Sequence, residues 1–310
     1  MRLEGVHHIT AITADAPANV DFYARALGLR LVKKTVNFDR PDVYHLYYGD
    51  ETGSPGSILT FFEFPEAARG RPGAGMVYHL AWRVGSTEAL DFWESRLEAE
   101  GIASERRGDG LLVLHDPEGL ELALLADESG EPPLRAAADG IAPEHALLGF
   151  AGVHAYGADP ERGAGLFESA LGFERAGEDR WRVAGDERSA LYVVDPPPPE
   201  PGIQGAGTVH HIAWSSRDDA EQEAWRERVT EAGGRPTPII DRQYFHSVYF
   251  REPGGVLFEL ATRGPGFDVD EPAEHLGESL RLPPQHEHLR AHVERSLTSL
   301  PNPRAAAPRS

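Results

Sequence analysis

Two pairs of adjacent histidines and one glutamate are the side chains of this sequence best suited to hold a metal ion. The pairs are His7-His8 and His210-His211, and each lies in a short apolar run that is typical of a β-strand. Glu259 lies in a third apolar run, shortly after a proline-glycine turn. Two imidazoles and one carboxylate are the ligands of facial metal sites, which leave coordination positions open for substrates. These residues therefore indicate a metalloenzyme.

The elements that must position these residues form a fourfold repeat. A strand-like run followed by an amphipathic run begins at Val6, Val77, Gly152 and Val209. Apolar residues at helical spacing, with a glycine after the last turn, predict one helix in each repeat. The predicted helices are Pro17–Leu27, Thr87–Ala99, Pro160–Leu171 and Asp218–Ala232. Strand-like segments follow each helix, so each repeat is predicted to be a βαβββ module and the fold to be α+β.

The length of 310 residues suits two domains of about 150 residues each. We predict an N-terminal domain over residues 1–130 with modules 1 and 2, and a C-terminal domain over 148–265 with modules 3 and 4. A proline-rich, charged stretch over 131–147 is predicted to link them. Residues 266–310 are predicted to form a polar tail, with one short helix over 287–297 and disorder from 301 onward.

Strand side chains alternate between faces, so the alignment of the opening strands indicates which histidine of each pair faces the site. His8 aligns with His79, Ala155 and His211 in this comparison. Modules 1 and 4 therefore each offer one histidine at the same position, whereas module 3 offers none. His79 stands alone in its pair of modules and is interpreted as a structural histidine.

The closing strands supply the carboxylate. Counted from the proline of the preceding turn, Glu259 aligns with Phe61 and Ala123. The predicted metal ligands are therefore His8, His211 and Glu259, with a phenylalanine at the fourth symmetric position. Three protein ligands would leave up to three positions open on an octahedral ion, which suits iron(II) chemistry with oxygen and a chelating substrate.

Two long motifs carry a resemblance to a known family. They are Leu29–Asp50 with Thr52–Gly56, and Ile240–Glu252 with Phe258–Thr262. On these residues the chain resembles the vicinal oxygen chelate superfamily of glyoxalases, bleomycin-resistance proteins and extradiol dioxygenases, and within it the hydroquinone ring-cleaving branch. The resemblance is strong in modules 1 and 4 and mainly architectural in modules 2 and 3. It implies two domains built from paired, curved mixed sheets.

The resemblance also implies roles for individual residues. His8, His211 and Glu259 would bind Fe(II), although Mn(II) remains possible because the ligand atoms do not separate the two metals. The substrate pocket would be lined by His7, Thr10, His210, Arg242 and Tyr249. Thr10 shares the strand face of His8, as this requires. Simple alternation points His7 and His210 to the opposite face, so they either contact the substrate or act from behind the ligands.

The predicted function is ring cleavage of hydroquinone-type diols with O2 at a mononuclear non-haem Fe(II). Arg242 would stabilise an oxyanion, and Tyr249 would donate a hydrogen bond or a proton. One alternative is a glyoxalase-like metal-dependent isomerase or transferase, against which Phe61 counts because such an isomerase would use four protein ligands. The other alternative is a metal-free resistance protein that binds an aromatic compound.

Composition narrows the partners. The formal net charge of −20 opposes binding to nucleic-acid phosphates, and no apolar run is long enough to span a membrane. The absence of cysteine excludes disulfides, thiolate metal sites and a cysteine nucleophile. The expected partners are a small aromatic substrate and O2, with a homo-oligomer possible. The lack of an apolar leader segment predicts a cytoplasmic location.

Overall fold

The computed structural model describes residues 1–304; residues 305–310, part of the stretch predicted to be disordered, lie outside the described residues. Each of the four modules has the predicted order of one strand, one helix and three strands. Module 1 comprises β1 (Val6–Thr13), α1 (Ala16–Val20), β2 (Arg30–Val36), β3 (Tyr44–Gly49) and β4 (Ile58–Glu63). Module 2 comprises β5 (Met76–Val84), α2 (Thr87–Ala99), β6 (Ser104–Arg107), β7 (Leu111–His115) and β8 (Glu121–Ala126).

The second half of the chain repeats this order. Module 3 comprises β9 (Phe150–Tyr156), α3 (Glu161–Ala164), β10 (Glu174–Arg175), β11 (Arg180–Ala184) and β12 (Ser189–Asp195). Module 4 comprises β13 (Val209–Ser216), α4 (Asp219–Glu231), β14 (Ile240–Asp241), β15 (Phe245–Arg251) and β16 (Leu257–Pro265). Helices α1 and α3 each continue into a π-helical turn, over Asp21–Ala26 and Gly165–Ala170.

The strands form two mixed sheets of eight strands each. The first has the order β14-β15-β16-β13-β1-β4-β3-β2, and the second has the order β10-β11-β12-β9-β5-β8-β7-β6. Each sheet therefore joins one module from each half of the chain, module 1 with 4 and module 2 with 3. This arrangement confirms the predicted α+β fold of paired mixed sheets. The division of the sequence at 131–147 remains a prediction.

The core lies between the sheets, and strand alternation decides which residues enter it. On β16, Phe258 and Leu260 are buried in the core while Glu259 between them faces the opposite side. Trp214 of β13 packs edge-to-face against Phe258, with ring centroids 5.5 Å apart, an arrangement that stabilises aromatic pairs beyond their buried area. The outer faces of the central strands are thereby left for the site.

The first helical segment is bounded by a side-chain cap at its start and by a glycine after its end. The Asp15 carboxylate accepts a hydrogen bond from the Ala18 amide at 3.0 Å and so caps α1. Gly28 follows this helical segment with a φ of +71°, which favours glycine. No helix within residues 1–304 is long and apolar enough to cross a membrane.

The segment after Gly266 packs against the first sheet. It contains three 3-10 turns and α5 (Arg290–Ser296), so the short helix predicted over 287–297 is present but begins later. The Nζ atom of Lys33 on β2 is fully buried and contacts Asp270 Oδ1 at 2.7 Å and Glu271 Oε2 at 2.8 Å. The segment therefore covers strand β2 at this point and pairs the buried charge of Lys33.

Candidate metal centre

Three ligand atoms converge on the outer face of the first sheet. His8 lies on β1, His211 on β13 and Glu259 on β16, and all three side chains are buried. The two Nε2 atoms are 3.2 Å apart, and they lie 3.2 Å (His8) and 2.9 Å (His211) from Glu259 Oε2. Within residues 1–304 this is the only group of three His, Cys, Asp or Glu side chains with such convergence.

Strand register brings these residues together. In the antiparallel pair β1/β13, His8 lies opposite Ala213 and Thr10 lies opposite His211. In the parallel pair β13/β16, Ala213 lies beside Glu259. His8 and Glu259 therefore each lie diagonal to His211 on an adjacent strand, on the same face. Register shifts on both sides of this segment bracket the two histidines.

The hydrogen bonds of His7 determine which nitrogen of His8 carries a proton. His7 Nε2 lies 3.0 Å from the carbonyl oxygen of Thr262, which can only accept, so His7 is protonated at Nε2. Burial and the adjacent His8 lower the pKa of His7 to about 3, so its ring is neutral and its Nδ1 is an acceptor. His8 Nδ1, at 2.9 Å, must therefore donate to it. The other nitrogen of His8, Nε2, faces His211 and Glu259.

His211 has a similar neighbour. Its Nδ1 lies 2.8 Å from Nδ1 of His210, whose side chain is exposed and whose ring packs edge-on against Phe62. The second carboxylate oxygen of Glu259, Oε1, accepts a hydrogen bond from Ser247 Oγ at 2.5 Å. Burial alone would raise the pKa of Glu259, but His8 and His211 hold it well below its usual range. The carboxylate is therefore charged.

These contacts test whether a metal ion fits. Glu259 Oε2 is buried and accepts no well-aligned hydrogen bond within residues 1–304, although the two Nε2 atoms lie only 2.9 and 3.2 Å away. A buried acceptor without an aligned partner is unfavourable by about 1–3 kcal/mol, or more if charged. The Nε2 atoms of His8 and His211 face the same point. Cis ligands about 2.1 Å from an octahedral ion are about 3.0 Å apart, close to the observed separations. The donor set therefore fits a divalent cation.

The fourth symmetric position is occupied by Thr60 and not by Phe61. Glu259 lies beside Ala213, and the residue related to it on β4 is Thr60, which lies beside Thr10. Phe61 instead enters the core, where its ring centroid lies 4.8 Å from that of Tyr23. The first module reaches this position one residue sooner after its turn than the fourth, so counting from the proline slipped by one residue.

The second sheet has no equivalent triad. Between the register shifts of its central strands, the positions related to His8 and His211 hold His79 and Gly152. Ala155, which was aligned with His8, points into the core. The Nδ1 atom of His79 contacts Glu121 Oε1 at 2.6 Å, as a paired structural histidine does.

A cavity of about 40 Å³ lies in front of the triad. Of the residues predicted to line the pocket, Thr10, Arg242 and Tyr249 line it, whereas His7 and His210 lie behind the ligand histidines. The other lining residues are Asn37, Phe38, Asp39, His45, Tyr47, Phe62 and Phe245, together with the ligands His8 and His211. Arg242 Nη1 donates to Asp39 Oδ2 at 3.2 Å and its guanidinium lies 5.5 Å from the Tyr249 ring centroid.

The electrostatics of these groups suit hydrogen-bond donation into the cavity. Burial and the nearby Glu259 charge raise the pKa of Tyr249, so its hydroxyl keeps its proton. Burial opposes the charge of Arg242, but Tyr249 and Asp39 outweigh it and raise the pKa of the guanidinium. His45 and Tyr47 were not identified from the sequence. Their spacing of two on a strand beside module 1's closing strand was the available signal, since it places both side chains on one face.

Comparison with known proteins gives the family. The model of the Glyoxalase/Bleomycin resistance protein/Dioxygenase superfamily matches residues 5–124 and 149–260. "Putative ring-cleaving dioxygenase MhqO" of Bacillus subtilis is 43% identical over 300 residues, covering 94% of this chain and 95% of that protein. "Chlorohydroquinone/hydroquinone 1,2-dioxygenase" of Sphingobium indicum is 32% identical over 317 residues, covering 96% of each chain. A crystal structure from Bacillus subtilis superposes with a TM-score of 0.91 and 41% identity, over 97% of this chain and 98% of that one. These matches confirm the resemblance, and the chain belongs to the Glyoxalase/Bleomycin resistance protein/Dioxygenase superfamily.

Proposed function

We propose that this protein is a non-haem iron(II) dioxygenase that cleaves the ring of hydroquinone-type diols with O2. The observation that carries the proposal is the convergence of His8 Nε2, His211 Nε2 and Glu259 Oε2, which lie within 3.2 Å of one another in a buried position. Thr60, at the fourth symmetric position, is not a typical ligand of iron or manganese, so a bound ion would keep positions open. The ring-cleaving relatives, one of them named for hydroquinone, support this choice of reaction.

His8, His211 and Glu259 would hold the metal, with Mn(II) as the alternative to Fe(II). When bound, the metal would supply Lewis acidity toward a ring hydroxyl and the redox chemistry that O2 requires. The protein would hold the ligands rigidly, because the Nδ1 atoms of both histidines are engaged by His7 and His210 and Glu259 Oε1 is engaged by Ser247.

The remaining cavity residues would bind and orient the diol. Arg242 keeps a permanent positive charge, which would stabilise an anionic ring oxygen. Tyr249 keeps its proton and would donate a hydrogen bond to such an oxygen. Phe62 and Phe245 offer apolar faces to a flat ring. Together these groups suit a planar aromatic diol that loses a proton on binding.

The test is metal content and oxygen uptake. Protein purified without oxygen is expected to bind about one iron or manganese per chain and to consume O2 with hydroquinone, methylhydroquinone or chlorohydroquinone. Glu259→Gln is expected to lose both properties. His79→Ala is the matched control, because it removes a histidine from the related position of the other sheet and is expected to keep both.

Other outcomes would point to other functions. Turnover of methylglyoxal with a thiol, without oxygen uptake, would indicate a glyoxalase-like isomerase. Tight binding of an aromatic compound by protein without a bound metal and without turnover would indicate a sequestering module. Full metal occupancy in Glu259→Gln would refute the proposed ligand set.

A further inference from the structure

A chain of four hydrogen-bonded side chains, Tyr47, His45, Thr60 and Thr10, runs along the wall of the cavity. Tyr47 Oη lies 2.9 Å from His45 Nδ1, and His45 Nε2 lies 2.9 Å from Thr60 Oγ1. Thr60 Oγ1 donates to Thr10 Oγ1, also at 2.9 Å. Thr10 and Thr60 are buried, and Thr10 lines the cavity in front of the triad. The chain therefore ends at the place where a substrate would bind.

The direction of these hydrogen bonds follows from the number of protons available. The Thr60 hydroxyl has one proton and donates it to Thr10, so it can only accept from His45 Nε2. His45 is neutral, because burial and the neighbouring His8, His211 and Arg242 lower its pKa well below the usual range. With its proton on Nε2, the ring accepts at Nδ1, so the Tyr47 hydroxyl must donate.

The direction of these hydrogen bonds determines which way the hydroxyl proton of Thr10 points. Its oxygen already accepts from Thr60, and within residues 1–304 its own proton has no acceptor. The hydroxyl of Thr10 is therefore available as a donor toward the cavity. The same residue without this chain could rotate and offer either a proton or a lone pair, because a threonine hydroxyl does both.

We infer that His45 and Tyr47 are positioning residues that, through Thr60, hold Thr10 as a hydrogen-bond donor toward a negatively charged oxygen of the substrate. The inference rests on the proposed function for the identity of the substrate, an aromatic diol, but the direction of the chain does not. It explains why a threonine stands where the related module carries a metal ligand. Thr60 connects His45 to Thr10 by hydrogen bonds and does not itself line the cavity in front of the triad.

The first experiment examines the chain itself and needs no turnover. In protein labelled with ¹⁵N-histidine, long-range ¹H–¹⁵N correlation at pH 7 distinguishes the two neutral tautomers from the charged ring, and His45→Gln assigns the signal. The expected result is a neutral His45 with its proton on Nε2. Tyr47→Phe is expected to give a mixture of tautomers, because the donor to Nδ1 is lost. Tyr48→Phe is the matched control, since that buried hydroxyl donates to Asn19 on the other face. A His45 protonated on Nδ1, or charged, would overturn the inference.

The second experiment examines the effect on a bound anion. Metal-loaded protein kept free of oxygen is titrated with 4-nitrocatechol, a chromophoric diol, and metal content is measured in the same samples. Thr60→Val is expected to weaken binding about threefold to tenfold at unchanged metal content, and Thr60→Ser is expected to restore it. In a Thr10→Val background, Thr60→Val is expected to have no further effect, because the effect acts through Thr10.

The outcomes separate this inference from the proposed function. Additive losses in the double variant, or equal affinities of Thr60→Val and wild type, would overturn the positioning role. A protein with the expected His45 tautomer that consumes no oxygen with any diol would overturn the proposed reaction and leave the direction of the chain established.

Discussion

His7 and His210 lie behind the ligand histidines, and their different burial predicts different losses of metal affinity when each is replaced. His7 and His210 make nearly the same contact, at 2.9 and 2.8 Å, with the Nδ1 atom of a ligand histidine. His7 is 1% exposed, whereas His210 is exposed. Replacing each by leucine removes the partner of one Nδ1–H group. The two replacements therefore differ mainly in whether water can take the place of the lost ring.

The expected losses can be estimated from the desolvation of a single N–H group. In His7→Leu the Nδ1–H of His8 is left buried without an acceptor, which is unfavourable by about 1–3 kcal/mol, or roughly fivefold to 150-fold in metal affinity. In His210→Leu water can accept from His211, so the affinity is expected to change less than about threefold. The apparent dissociation constants are measured by competition with a chromophoric chelator at fixed pH. Equal losses in the two variants would refute the reasoning, because burial would then not decide the effect.

Three further predictions concern stability and catalysis. Lys33→Met removes the nearest cation of the buried Glu271 carboxylate, which keeps Arg281 Nε at 3.5 Å. It is expected to lower the free energy of unfolding in urea by less than the roughly 3–5 kcal/mol of a fully unpaired buried charge, and Lys34→Met, whose ammonium only weakly contacts a carbonyl, is expected to lower it much less. Burial raises the pKa of Asp116 from 3.8 to about 6, so the folded state favours the neutral acid. The stability that this preference contributes to the folded state is fully present below pH 3.8 and is lost as the pH rises through 6. Asp116→Asn is therefore expected to gain on the order of 2–3 kcal/mol relative to wild type between pH 4 and 7 in urea unfolding, and a constant difference would contradict this. Tyr249→Phe is expected to lower the rate of oxygen uptake with hydroquinone about tenfold to a hundredfold at unchanged metal content, and an unchanged rate would remove this hydroxyl from the reaction.

The modular fold was predictable because residues typical of turns and helix ends mark the boundaries of each module. Glycines end the helices, proline-glycine turns precede three of the closing strands, and apolar periodicity changes between helix and strand. The choice of His8 and His211 over their neighbours also came from strand alternation. Whether these residues bind metal is still a prediction, although the structure brings their nitrogen atoms within 3.2 Å of each other.

The fourth symmetric position was assigned to Phe61 instead of Thr60 because residues were counted from the proline of the preceding turn. Strand alternation turns an error of one residue into the wrong face, and the length of a turn is set by its backbone conformation. Only the pairing of Thr10 with Thr60 reveals which residue faces the site. The same limit applies to His45, whose role depends on a neighbouring strand that is distant from the histidine pairs in sequence.

The packing of the C-terminal segment against the first sheet could not be predicted, for a different reason. Its buried apolar residues follow neither a helical nor a strand period, so the composition reads as polar. They are Phe267, Leu276, Leu282 and Val293. The charge that holds the segment in place, Lys33, lies on β2 and gives no sign of burial in the sequence. Irregular segments that pack by isolated contacts carry no periodic signal.

The pairing of module 1 with module 4 has a consequence for how the protein matures. Strand β1 leaves the ribosome well before its partner β13, which begins at Val209, and Glu259 follows later still. Until then one edge of β1 has no backbone partner, a state prone to mispairing with other chains. The proposed metal centre can therefore be completed only after module 4 has been made, and a chain interrupted before module 4 would lack His211 and Glu259 and would leave one edge of β1 unpaired.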